Sequence, residues 1–132
     1  MTESQQKISH FKSKSGLKRI FSALVYSMEG FKSAWKYEHA FRQELILVLA
    51  GTIAALLLPV SAFEKLLMIV VLLLILVVEL INSAIEAVVD RVSLEHNPLS
   101  KNAKDFGSAA VSLTLLIAVA SWVVVLFNRF YY

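Results

Sequence analysis

Two glutamates, an asparagine and an aspartate interrupt the apolar character of the stretch VVELINSAIEAVVDR, Val77 to Arg91, directly after the uncharged run LLMIVVLLLIL, Leu66 to Leu76. On a helix that turns 100° per residue, Glu79 and Glu86 point almost the same way, Asn82 falls between them and Asp90 lies one turn beyond Glu86. They form one polar stripe, in which Glu79 lies roughly 10 Å from Glu86 along the axis. An unpaired charge at the centre of a membrane helix costs about 2.5 to 3.5 kcal/mol even on the lenient insertion scale, so the stripe reads as a functional site. The competing reading is a polar cluster that only ties helices together.

Two further stretches carry polar groups toward the same level. YEHAFRQE brings Glu38, Arg42 and Glu44, and NAKDFGSAAVS brings Lys104, Asp105, Ser108 and Ser112. Carboxylates from two helices facing a common space are what a hard divalent cation such as Mg²⁺ requires, with water and phosphate oxygens completing its shell. No His spacing of a zinc site occurs. Ser108 and Ser112, near Gly107 and Ala109, are open to two readings, close helix packing or substrate contact. His39 and His96, single histidines near the interface, read from their own surroundings as bystanders.

The elements that must position these groups follow from composition. The chain has 132 residues, 58% of them hydrophobic, and a mean hydropathy of +0.68, which bounds it to one domain and sets it in a bilayer. It has no cysteine, so packing and not disulfides must stabilise it. Hydropathy and breakers predict three transmembrane helices, over about 39–58, 64–91 and 104–128, the first closed by Pro59 and Ser61. Ahead of them Leu17, Ile20, Phe21, Leu24, Met28, Phe31 and Trp35 recur at spacings of three and four, a stripe that predicts an amphipathic helix over 17–37 lying on the membrane surface. The expected fold is therefore an all-α integral membrane protein, a single domain over 17–132 behind a basic, disordered extension over 1–16. MTESQQKISHFKSKSGLKRI lacks the apolar core of a secretory signal, so the N-terminus is expected to be retained.

Lys and Arg set the orientation. Lys7, Lys12, Lys14, Lys18, Arg19, Lys32, Lys36 and Arg42 precede or open the first span, and Arg91, Lys101 and Lys104 fill the second connection. Lys65 and Arg129 alone mark the opposite side, so the N-terminus is expected in the cytoplasm and the C-terminus in the periplasm. The net charge of +3 then gathers where anionic headgroups or nucleotide phosphates would be met. Nucleic acid is a poor partner for so scattered a set.

VELINSAIEAVVDR and KNAKDFGSAAV, with AWKYEHAFRQE upstream, resemble the prokaryotic diacylglycerol kinases of the Gram-negative type, small membrane enzymes with a surface helix and three spans. The resemblance runs from about Leu17 to Phe127 and shows no departure at the polar positions. It implies transfer of the γ-phosphoryl of ATP to diacylglycerol at the cytoplasmic face of the inner membrane, with Mg²⁺ required. It further implies Glu79 as general base with Asn82 beside it, and Glu38 and Glu86 as holders of the metal that ATP carries. Arg19, Tyr26, Glu95, His96, Asn97, Lys104 and Asp105 would attend the nucleotide, and Arg42 and Ser108, with Glu79, the lipid. The family's homotrimers, with sites between protomers, would enclose what three helices cannot.

No GxxxxGK[ST] motif and no glycine cluster is present, the glycines being Gly16, Gly30, Gly51 and Gly107, so backbone cradling of phosphate is unavailable. Phosphoryl transfer needs chiefly positioning and charge neutralisation, which carboxylate-held metal and Lys104 can supply. Two alternatives stand beside this reading: a polyprenol kinase such as an undecaprenol kinase using the same machinery, and a non-enzymatic ion-conducting or assembly protein.

The orientation can be checked with single cysteines at Ser61 and Ser100 and a membrane-impermeant maleimide applied to intact spheroplasts. Labelling is expected at 61 and not at 100. Equal labelling, or labelling at 100 alone, contradicts the assignment.

Overall fold

The computed structural model describes residues 16–132; of the expected N-terminal extension, residues 1–15 lie outside the described residues. Four α-helices follow one another: α1 (Gly16–Tyr37), α2 (His39–Leu57), α3 (Ala62–Val92) and α4 (Pro98–Tyr131). The last three are long and apolar enough to cross a membrane. A helix satisfies its own backbone hydrogen bonds, which is why such runs can enter hydrocarbon.

The described chain divides into two compact units, one ending at Lys36 and the other spanning Tyr37–Tyr132. The first consists of α1 as far as Lys36. Its apolar stripe, from Leu17 through Leu24 and Met28 to Trp35, is exposed, the arrangement a helix needs if that face is to lie in a headgroup layer.

In the second unit α3 is the central element and packs on both α2 and α4. Val48 of α2, Val71, Leu72 and Ile75 of α3 and Ala118 of α4 form one buried cluster. Ala55, Met68 and Val125 form the next, toward the connection between α2 and α3. Trp122 bridges them and donates its indole N–H to the Met68 carbonyl at 3.2 Å.

Local chemistry sets the ends of the helices. Pro59 follows the end of α2, and Ser61 opens α3 with a capping box: its hydroxyl accepts from the Glu64 N–H at 3.2 Å, while the Glu64 carboxylate accepts from the Ser61 N–H at 2.8 Å. Arg129 donates to the Pro59 carbonyl and Lys65 to that of Leu56, so both cations finish backbone acceptors at this end. Helix α4 starts at Pro98, six residues ahead of the expected 104, and ends at Tyr131. Asn97 is its N-cap, accepting from Leu99 and Ser100 N–H groups at 2.9 and 3.4 Å, and Pro98 stands in the first turn, where its missing N–H costs nothing. Lys101, expected in the connection, therefore sits on the same helix as Lys104 and Asp105.

Loss of the capping box at Ser61 should be measurable. Ser61→Ala is expected to cost about 1 kcal/mol, the usual value of such a cap, in an SDS-titration unfolding experiment in mixed micelles. An unfolding midpoint equal to that of the wild type would mean that the box contributes nothing here.

Candidate functional site

The deeper half of the polar stripe of α3, Glu79 and Asn82, is buried where an apolar helix would ordinarily have apolar side chains, whereas Glu86 is half-exposed and Asp90 exposed. Glu79 is 4% exposed and Asn82 9%. Asn82 donates its amide Nδ2 to Glu86 Oε1 at 3.3 Å, linking neighbours one turn apart. Asn82 and Ser83 follow Glu79 within the next turn of α3, and the charges of Glu86 and Glu38 both reach its carboxylate. Glu38 occupies the N-cap position of α2 but makes no side-chain cap hydrogen bond, so its carboxylate is not consumed by the helix end. Carboxylates of α2 and α3 thus lie near enough to act on one another through their charges.

Helix α4 closes the other side. Lys104 forms an ion pair with Asp90 across α3 and α4 at 2.5 Å, and the charge of Glu86 also reaches it. Asp105 pairs with Lys101 along its own helix at 2.5 Å. Gly107, buried, lies against Asn82. Beyond these, at the connection of α3 and α4, an open cleft of about 530 Å³ is lined by Asp90, Ser93, Glu95, His96, Asn97, Lys101, Lys104 and Asp105 among others. His96 is one of its lining residues, so the connection gathers it with the charged residues of both helices. The Asn97 side-chain oxygen is committed to the cap of α4, which leaves its amide nitrogen as the group able to face the cleft.

Ser108 is exposed on α4, its carbonyl accepting from the Ser112 hydroxyl at 3.0 Å, while its neighbour Gly107 faces α3. Arg42, half-buried on α2, meets His39 Nδ1 at 2.7 Å. Arg19 and Tyr26 belong to α1. Glu44, named in the sequence among the polar groups at this level but assigned no part in the chemistry, is half-buried on α2, its Oε2 is buried without a hydrogen-bond partner, and the charge of Glu79 reaches it. Its position six residues beyond Glu38, already inside the apolar run, was the available signal.

The donor set fits a hard cation. Glu38 and Glu86, both half-exposed, offer carboxylate oxygens. Among the described residues no three of His, Asp and Glu come together as a complete metal cage. Mg²⁺ brought with substrate phosphates would keep waters and phosphate oxygens and take only one or two carboxylates from protein.

Comparison with known proteins decides the family. The model of the prokaryotic diacylglycerol kinases matches residues 25–126. The chain belongs to that family. It is 54% identical over 118 residues to the diacylglycerol kinase of Pseudomonas aeruginosa, covering 89% of this chain and 96% of the relative. To that of Escherichia coli K12 it is 45% identical over 115 residues, covering 87% and 94%, and to that of Helicobacter pylori 46% over 107, covering 81% and 84%. As a member of the prokaryotic diacylglycerol kinase family the protein is a lipid kinase, which sets aside the ion-conducting alternative. Three apolar helices and bacterial relatives make it a multi-pass inner-membrane protein.

Proposed function

We propose that the protein transfers the γ-phosphoryl group of ATP to the free hydroxyl of diacylglycerol, giving phosphatidic acid, at the cytoplasmic face of the inner membrane. The observation that carries this reading is the buried Glu79 carboxylate beside Asn82, with Glu86 next along the same polar stripe, Glu38 at the start of α2 and Lys104 on α4. The names of the relatives support diacylglycerol over a polyprenol as acceptor.

The division of labour follows from depth. Glu79 lies about two turns further into the apolar part of α3 than Glu86, roughly 10 Å. A diacylglycerol hydroxyl can reach that depth while its chains remain in hydrocarbon. Glu79 accepts the hydroxyl proton as the oxygen attacks the γ-phosphorus, and the bond from that phosphorus to the β,γ-bridging oxygen breaks to release ADP. Asn82 orients the carboxylates on either side of it. Glu86 and Glu38 hold Mg²⁺ with the nucleotide, and the ion, when bound, neutralises charge on the phosphate oxygens. Lys104, with Asp90 fixing its ammonium, and Asp105, Glu95, His96 and Asn97 of the cleft attend the nucleotide, as do Arg19 and Tyr26 of α1. Arg42 and Ser108 attend the lipid.

A homotrimer with sites between protomers completes the reading. The cleft of the single chain is open and Glu38 and Glu86 remain half-exposed, which suits completion by a neighbouring copy. The N-terminus is cytoplasmic and the C-terminus periplasmic in this reading, so that the polar stripe meets cytoplasmic ATP.

Separate roles for the two glutamates give separate phenotypes. Glu79→Gln is expected to lower kcat about 10² to 10⁴-fold, the usual yield of general base catalysis, with little change in MgATP affinity. Glu86→Gln is expected to weaken MgATP binding and to move the Mg²⁺ dependence to higher concentration. Equilibrium dialysis of nucleotide against both variants in micelles, beside steady-state kinetics, separates them. Lost nucleotide binding in Glu79→Gln with binding kept in Glu86→Gln reverses the assignment.

A further inference from the structure

Glycine inside a helix is unfavourable, because it loses more backbone freedom than any other residue, so a buried glycine at a helix contact asks for a packing reason. Gly107 has one. A Cβ added there would overlap Asn82 Oδ1 and stand 3.2 Å from Cγ, whereas Asn82 Cβ, at 3.7 Å, is an ordinary contact. The obstacle is the amide head alone. Gly51 differs, since the nearest atom to its added Cβ is the tip of Leu72, an aliphatic end able to rotate away.

The second observation is the amide itself. Asn82 Oδ1 is buried and takes no hydrogen bond, although buried acceptors nearly always find a donor. Turning the amide over would set that oxygen against the Glu86 carboxylate and forfeit the Nδ2 hydrogen bond at 3.3 Å. The oxygen is therefore held against the glycine, where Cα–H groups offer only weak donors.

We infer that Gly107 is a positioning residue of the phosphoryl-transfer site: the bare Cα admits the Asn82 amide between α3 and α4 in the one orientation that presents Nδ2 to Glu86. The inference rests on the roles proposed above for Asn82 and Glu86 and adds a residue that acts through them. A methyl group at 107 displaces the amide, releases Glu86 and leaves the carboxylate less well placed for MgATP. In a protein with alanine at 82 the same methyl group meets only the Cβ and does no harm.

The test is a four-protein cycle of wild type, G107A, N82A and the double variant, assayed in mixed micelles for Mg²⁺ dependence, kcat and thermal midpoint. G107A is expected to raise the Mg²⁺ concentration for half-maximal rate about tenfold, a coupling usual for residues in contact. The double variant is expected to match N82A within about twofold in every readout, because the partner of the methyl group is gone. A G107A loss that persists undiminished beside N82A overturns the inference, as does full activity in G107A alongside an impaired N82A. Full activity in N82A overturns the assignment of Asn82 and the inference with it. If G107A fails to fold, recovery of the folded state in the double variant sustains the steric contact, and continued failure to fold refutes it.

Discussion

Everything in the second unit of this protein depends on keeping a short row of polar side chains, Glu79, Asn82 and Glu86, inside a helix otherwise built for hydrocarbon. The mean composition of α3 carries it into the membrane, and the row opposes that. Shielding must come from neighbours, and α2 and α4 supply it by packing on α3 from two sides. The apolar clusters around Ile75 and Met68 fasten the three helices over the rest of their length, so the polar level is held by packing elsewhere. The site is thus tolerated because the bundle is already assembled beneath it.

The same constraint explains why the carboxylates are not simply neutralised by salt bridges. Lys104 is engaged with Asp90 and Lys101 with Asp105, near the connection of α3 and α4, while Asn82 supplies Glu86 with a neutral donor. Burying a full ion pair at the level of Glu79 can cost more desolvation than it returns. An amide satisfies one oxygen and leaves the charge available.

Much of this was legible in the residues. Helical period placed Glu79, Asn82 and Glu86 on one face, and uncharged length marked the three spans, because both depend on local geometry that survives any packing. The start of α4 was missed by a criterion that waits for charge to end. Asn97 and Pro98 carried a cap signal that outweighs Lys101, Lys104 and Asp105, since charged residues are ordinary in the first two turns of a helix. The facing of Gly107 and Ser108 could not be read from spacing, as adjacent residues on a helix diverge by 100° and only the approach of α3 decides which turns inward. Glu44 was named at this level but given no part for the same reason: its proximity to Glu79 is a property of two helices, not of one.

The account stands on the claim that a membrane-embedded carboxylate row moves a phosphoryl group onto a lipid alcohol. The most direct measurement is transfer from γ-³²P-labelled ATP by the purified protein in mixed micelles, with diacylglycerol, a polyprenol or no lipid alcohol present, each with and without Mg²⁺. The account predicts labelled phosphatidic acid from diacylglycerol, dependent on Mg²⁺, and far less product from the polyprenol. Equal or greater labelling of the polyprenol, or transfer to diacylglycerol undiminished after Mg²⁺ is chelated, would contradict it.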